Sequence, residues 1–192
     1  MIGVFLGAQN SGKTLSMTYY AFKYFQEGYK IFSNYNLNFS HTKLTKDLLV
    51  EHTKSRTQLN KAIFLVDEIY IILDARSFSG KLNKLFSYFI LQTSKRDVHL
   101  FGTAQYFNTV DKRFRENTNF MVFCNRYELD NNIYKPITNK GRIINSNNLY
   151  IKNSFMIKSN DSIFPNYENK NYYLKASPIF KLYDTRELLG VE

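Results

Sequence analysis

Short, unbroken apolar runs recur along the chain, separated by stretches with a longer period. Ile2-Gly3-Val4-Phe5-Leu6 and Ala62-Ile63-Phe64-Leu65-Val66 contain no polar side chain. Each is too short for a helix and apolar enough for a strand buried on both faces. Lys30 to Ser33, Val98 to Thr103 and Phe120 to Cys124 read as three further strands. Between them the period lengthens. From Leu15 to Tyr29 apolar residues fall at Leu15, Tyr19, Phe22 and Phe25, the spacing of one helix face, and Gly28 is a helix stop. Leu82 to Thr93 repeats that spacing with Leu82, Leu85, Phe86, Phe89 and Ile90. Shorter helices are expected around Asp47 to His52 and from Thr109 to Asn117. Strands alternating with helices predict an α/β fold with a central, mostly parallel sheet and helices on both faces.

The pattern changes after Asp130. Residues 131–181 hold 11 Asn and a net charge of +6, more than half of the +10 carried by all 192 residues. This stretch has no helical period and contains the turn Asn139-Lys140-Gly141. It reads as β-hairpins and loops added to the edge of the core. We therefore divide the chain into a core at residues 1–130 and a basic, Asn-rich, β-rich extension at 131–192. With 44% hydrophobic and 17% aromatic residues, the chain can bury a real core and is not disordered. Cys124 is the single cysteine, which excludes a disulfide scaffold. No apolar stretch approaches the roughly 18 residues of a membrane span. No basic segment precedes an apolar one at the start, so no signal peptide is expected. The expected compartment is a reducing cytoplasm or a particle assembled there. The positive charge suggests an anionic partner.

Gly7-Ala8-Gln9-Asn10-Ser11-Gly12-Lys13-Thr14 fits the phosphate-loop pattern G-x-x-x-x-G-K-[ST] in full. Each defined position has a chemical reason. Gly7 and Gly12 permit backbone angles that turn successive N–H groups toward phosphate oxygens. Lys13 places a point charge at the β- and γ-phosphates, and Thr14 offers a hydroxyl to Mg²⁺. The helix that follows aims its positive end at the same anion. ATP and Mg²⁺ are therefore the expected ligands.

Asp67-Glu68 follows the apolar run ending at Val66, so the strand's C-terminal end delivers two acids toward the nucleotide crevice. Asp67 is expected to hold Mg²⁺ through water, and Glu68 to act as general base on the attacking water. An acid directly after the Asp points to P-loop ATPases that carry a catalytic Glu and insert an extra strand beside the first. It argues against kinases and GTPases. Val98 to Gln105 reads as that extra strand, with Gln105 at its tip to sense the γ-phosphate or position water. Ser94-Lys95-Arg96 precedes it, at the opposite edge of the sheet. From there Arg96 would reach a neighbouring subunit's ATP as an arginine finger, with Arg113 and Arg115 as rivals for the role.

With these residues in place, the sequence resembles the HerA/FtsK superfamily. The resemblance is carried by Gly7 to Thr14, Ile63 to Glu68 and Ser94 to Gln105. Val110-Asp111-Lys112-Arg113-Phe114-Arg115 and the strand Phe120 to Cys124 continue it, and a looser echo lies at Ile179 to Glu187. The resemblance implies a ring-forming, ATP-driven translocase of double-stranded DNA. Two small branches come nearest. One is the genome-packaging ATPases of membrane-containing icosahedral viruses, and the other is the zonula occludens toxin-like assembly ATPases of filamentous phages. The latter usually carry a membrane span after the ATPase domain, and cellular translocases carry extra domains. Neither feature is in this sequence, which favours packaging as the expectation, in the host cytoplasm or on the virion. The alternative is an ATPase driving virion assembly or extrusion through capsid or membrane proteins.

Other residues carry less. His41, His52 and His99 lack metal-ligand spacing, and His99 and Cys124 read as packing residues within strands. Tyr134, Tyr150, Phe155, Tyr167, Tyr172 and Tyr173 interleave with the basic residues of the extension, a mixture suited to a nucleic-acid backbone or a partner surface. Lys112, Arg113 and Arg115 form a second candidate DNA surface.

Overall fold

The computed structural model describes residues 1–45, 48, 60–72, 97–138, 146–157 and 171–184. Arg96, Tyr167, the helix read over Leu82 to Thr93, most of that over Asp47 to His52, the Asn139-Lys140-Gly141 turn and the Thr185-Arg186-Glu187 end of the tail lie outside them.

Nine strands form one sheet among the described residues: β1 (Ile2–Leu6), β2 (Lys30–Ser33), β3 (Thr42–Lys43), β4 (Ala62–Val66), β5 (Val98–Ala104), β6 (Phe120–Asp130), β7 (Ile133–Pro136), β8 (Leu149–Ile157) and β9 (Asn171–Lys175). Their order is β3-β2-β4-β5-β1-β6-β8-β9, with β7 paired to β6. From β3 to β6 all neighbours are parallel. The inserted strand β5 lies between β1 and β4, in register Leu6↔Ala104 and Val66↔Gly102.

Both faces of this parallel part are covered. Helix α1 (Lys13–Gln26) lays Leu15, Met17 and Ala21 against Phe5, Ile63, Leu65 and Phe101. On the other face Ile69 of α2 (Ile69–Ile72) and Phe114 of α3 (Lys112–Asn117) close over Val4, Phe64, Val66 and Leu100. Each such side chain contributes about 1.5–3 kcal/mol by leaving water, which is why the runs at 2–6 and 62–66 carry no polar residue. The predicted helix from Thr109 is shorter. Asp111 caps it, its Oδ1 accepting from the Arg113 N–H at 2.9 Å, so the helix starts at Lys112.

Strand β6 does not stop at Cys124 but runs to Asp130. Beyond Phe123 its neighbour β1 has ended, and the free edge pairs with β7 through a two-residue turn at Asn131-Asn132. Their φ angles of 48° and 63° are those of a type I′ hairpin, which Asn tolerates. On its other side β6 pairs antiparallel with β8, and β8 with β9. Antiparallel strands keep one face in water, so polar Asn125 and Lys152 are accommodated where a parallel strand would exclude them.

After β9 the chain forms α4 (Ala176–Ile179), which packs Ala176 and Ile179 against α1. It then crosses to the far side of α1 and is tied beside β2. The Asn38 N–H donates to Leu182 O at 2.8 Å, Asn38 Nδ2 to Lys181 O at 2.9 Å, and the Asp184 N–H to Asn36 O at 3.3 Å. Among the described residues no helix is long and apolar enough to cross a membrane.

Candidate nucleotide site

The loop between β1 and α1 has a backbone that most residues avoid. Gly7 has φ 151°, Asn10 61° and Gly12 94°. A Cβ on Gly7 would strike the Ser11 side chain and, at 2.6 Å, Cys124 O; one on Gly12 would meet Ile151 Cδ1 at 2.5 Å. The two glycines are therefore required both by conformation and by close packing. Lys13 Nζ donates to Ala8 O at 3.0 Å across the loop.

Asp67 stands opposite Thr14, whose hydroxyl lies 3.0 and 3.2 Å from its two carboxylate oxygens. Three strand ends meet at Asp67. From β5, Thr103 Oγ1 donates to Asp67 Oδ1 at 2.6 Å and accepts from the Glu68 N–H at 2.8 Å. After β2, Asn34 grips the Asp67 backbone twice: Oδ1 accepts from its N–H at 2.8 Å, and Nδ2 donates to its carbonyl at 3.0 Å. Burial pushes the Asp67 carboxyl above its ordinary pKa, opposed by the Thr103 and Thr14 hydroxyls and the Lys13 charge. Glu68 adopts φ 54°, and its Oε2 is buried with no hydrogen-bond partner among the described residues. A cavity of about 660 Å³ joins these groups, lined by residues 9–15 of the loop, Asp67, Glu68 and Gln105.

The site thus brings together Gly7 to Thr14, Asp67, Glu68 and Gln105. Arg113 instead pairs with Asp111 at 3.3 Å, and neither it nor Arg115 lines the cavity. Asn34 and Thr103 escaped sequence reasoning. Their one signal was position, since both stand at the same C-terminal sheet edge as Asp67. Cys124 is buried and its thiol pushed up to about 12 by that burial. His99 packs between the Tyr29 and Phe101 rings. Of the aromatics read together in the extension, Phe155 is buried against Tyr20 and touches Tyr172. Tyr134, Tyr150 and Tyr173 instead cluster with Tyr127 on the outer face.

The structure is similar to the N-terminal domain of zonular occludens toxin from Neisseria meningitidis over 95% of this chain and 98% of that one, with TM-score 0.64 and 17% identity. The shared fold is that of an α/β P-loop NTPase with a mostly parallel sheet. Flagellar accessory protein FlaH from Methanocaldococcus jannaschii shares it at TM-score 0.56 and 12% identity, over 90% of this chain and 83% of that one. The genome packaging NTPase of Sulfolobus turreted icosahedral virus 2, in complex with ATP-γS, matches over 64% and 72% with TM-score 0.47 and 12% identity. No family model and no curated protein sequence matches the chain. The Thr14 hydroxyl and Asp67 carboxylate are hard oxygen donors side by side at the start of a helix, a set that fits Mg²⁺.

Proposed function

We propose that this chain is an ATPase that binds Mg²⁺–ATP across Gly7 to Thr14 and Asp67, and that it uses hydrolysis to translocate double-stranded DNA, packaging a viral genome as part of a homo-oligomeric ring. The observation that carries the ATPase reading is the triple anchoring of Asp67-Glu68 opposite Thr14. Preorganised charge at the phosphates is what phosphoryl transfer demands of a protein.

In this reading Lys13 exchanges the Ala8 carbonyl for phosphate oxygens, and the backbone N–H groups of the loop hold the same oxygens. Mg²⁺, held by Thr14 and Asp67, would neutralise charge on the β- and γ-phosphates. Glu68 takes the proton of the attacking water as its oxygen bonds to the γ-phosphorus. The bond from that phosphorus to the bridging oxygen breaks, and ADP leaves with the oxygen. Gln105, at the tip of β5, orients the water. Arg96, Arg113 or Arg115 of a neighbouring subunit would stabilise the transferring phosphoryl group.

A second reading, an ATPase that drives virion assembly or extrusion through capsid or membrane proteins, has its own support. The likeness to the zonular occludens toxin domain spans the extension as well as the core. The two readings separate in one experiment: ATP turnover and DNA binding by the purified chain, with and without duplex DNA, across a salt series. A translocase gives DNA-stimulated turnover and sequence-independent binding that weakens steeply with salt. Neutralising Lys112, Arg113 and Arg115 together, or Lys135, Lys152 and Lys175 together, lowers the salt slope for whichever set touches phosphate. No affinity at low salt and no stimulation would overturn the translocase and leave the assembly reading.

A further inference from the structure

One wall of the nucleotide cavity belongs neither to the phosphate loop nor to the acidic pair. It is built by Arg126 of β6, Leu149 and Ile151 of β8, and Phe180 and Tyr183 from the crossing segment after α4. Strand order says which end of a nucleotide this wall faces. Asp67, Glu68 and Gln105 stand at the ends of β4 and β5, on one side of β1, whereas β6 and β8 lie on the other. A triphosphate that spans the loop with its γ end at the acidic pair therefore directs its other end toward β6 and β8.

The local geometry agrees. Ile151 packs directly on Gly12 of the loop. Arg126 is its cross-strand partner, and Leu149 is on the same face two residues along, about 7 Å away. Arg126 is half-buried and makes no ion pair among the described residues. The crossing segment is held in place before any ligand arrives. Besides its three bonds to Asn36 and Asn38, Tyr183 bridges Leu37 and sets its ring edge-on to Tyr35 at 6.2 Å. The Tyr35 hydroxyl is in turn 2.8 Å from Thr18 Oγ1 on α1. A wall tethered to both α1 and β2 loses little entropy on binding.

We propose that Arg126, Leu149, Ile151 and Phe180 form the nucleoside subsite of this chain, taking the base and ribose of a nucleoside triphosphate. Leu149 supplies an apolar wall backed by Ile151, which is buried against Gly12, Phe180 a ring on which a base stacks, and Arg126 a planar cation that stacks or donates to ring acceptors. The subsite rests on the ATPase reading, and the test separates the two. Calorimetric titration in Mg²⁺ compares ATP with inorganic tripolyphosphate, which has the phosphates and no nucleoside. The unmodified chain binds ATP at least about 10-fold more tightly, the worth of one base stack. Phe180→Ala and Arg126→Gln each weaken ATP about 10-fold and leave tripolyphosphate within about 2-fold. If Phe180→Ala does not fold, Phe180→Leu keeps the apolar fill, removes the ring and loses the preference for ATP. Tripolyphosphate bound as tightly as ATP by the unmodified chain, or both ligands weakened alike in the variants, overturns the subsite alone. Neither ligand bound by the unmodified chain overturns the phosphate-loop reading and the subsite with it.

Discussion

All residues of β1, β4 and β5 are buried, whereas β6 alternates between buried and accessible positions as far as Asn125 and is accessible from there on, and β7 is exposed throughout. The two halves of one sheet thus place their chemistry differently. Parallel strands covered on both faces have no free surface along their length, so they present functional groups at their C-terminal ends: Gly7 after β1, Asp67 after β4, Gln105 after β5. The antiparallel half has side chains to spare along the strands. One face brings Arg126, Leu149 and Ile151 to the cavity. The other gathers Tyr127, Tyr134, Tyr150 and Tyr173, with Lys152 5.7 Å from the Tyr127 ring.

Substitutions at matched positions test that contrast. Phe101→Ala removes a fully buried ring from β5 and should cost about 3–5 kcal/mol. Tyr134→Ala, on the outer face of the extension, should cost about 1 kcal/mol, the worth of its aromatic pairing. Chemical denaturation measures both, and equal losses would break the distinction between the halves.

Glu68→Gln keeps shape and removes basicity. It should bind ATP as the parent does while turnover drops about 100-fold or more. Parent-like turnover would remove Glu68 from the proton transfer. Thr103→Val deletes the hydroxyl shared by Asp67 and the Glu68 N–H. Leaving that N–H unsatisfied should cost about 1–3 kcal/mol of stability, and turnover should fall as the acids lose their positions. Unchanged stability and rate in that variant would mean the acids are held by Asn34 alone.

The smallest effect is a pH slope. Burial among the Tyr24, Tyr29 and Phe101 rings holds the His99 pKa at about 4, helped by the N-terminal charge and opposed by Asp97, 3.5 Å away. Unfolding returns the imidazole toward its ordinary 6.5. Between those values the unfolded chain binds the extra proton, so stability is full above about 6.5 and declines as pH falls toward 4. His99→Phe should flatten that decline, measured by denaturation at pH 7 and pH 5. An unaltered slope would place the titrating group elsewhere.

The loop Gly7 to Thr14 and the acids Asp67-Glu68 were legible because their signals are local: spacing within eight residues, and two acids abutting an apolar run. Asn34 holds the backbone of Asp67 and Thr103 its carboxylate, yet they come 33 residues before it and 36 after it in sequence. An Asn in a turn and a Thr in a strand are unremarkable until β2, β4 and β5 align.

By itself, then, the sequence determined the apolar strands, the phosphate loop and the placing of acids at a strand end. These follow from burial and from backbone angles that few residues tolerate, both properties of short segments. The extra strand beside β1 was also expected, and β5 takes that place; tertiary structure alone decided that β6 flanks β1 on the other side, that the segment after α4 crosses to β2, and that Arg126 reaches the cavity. It also sorted the aromatics of the extension into an inner and an outer set. A strand's side chains alternate with a period of two, so a register shift of one residue exchanges its faces. That register is set by pairing between segments far apart in the chain, as Arg126 with Ile151 and Lys152 with Tyr173, which no local pattern encodes.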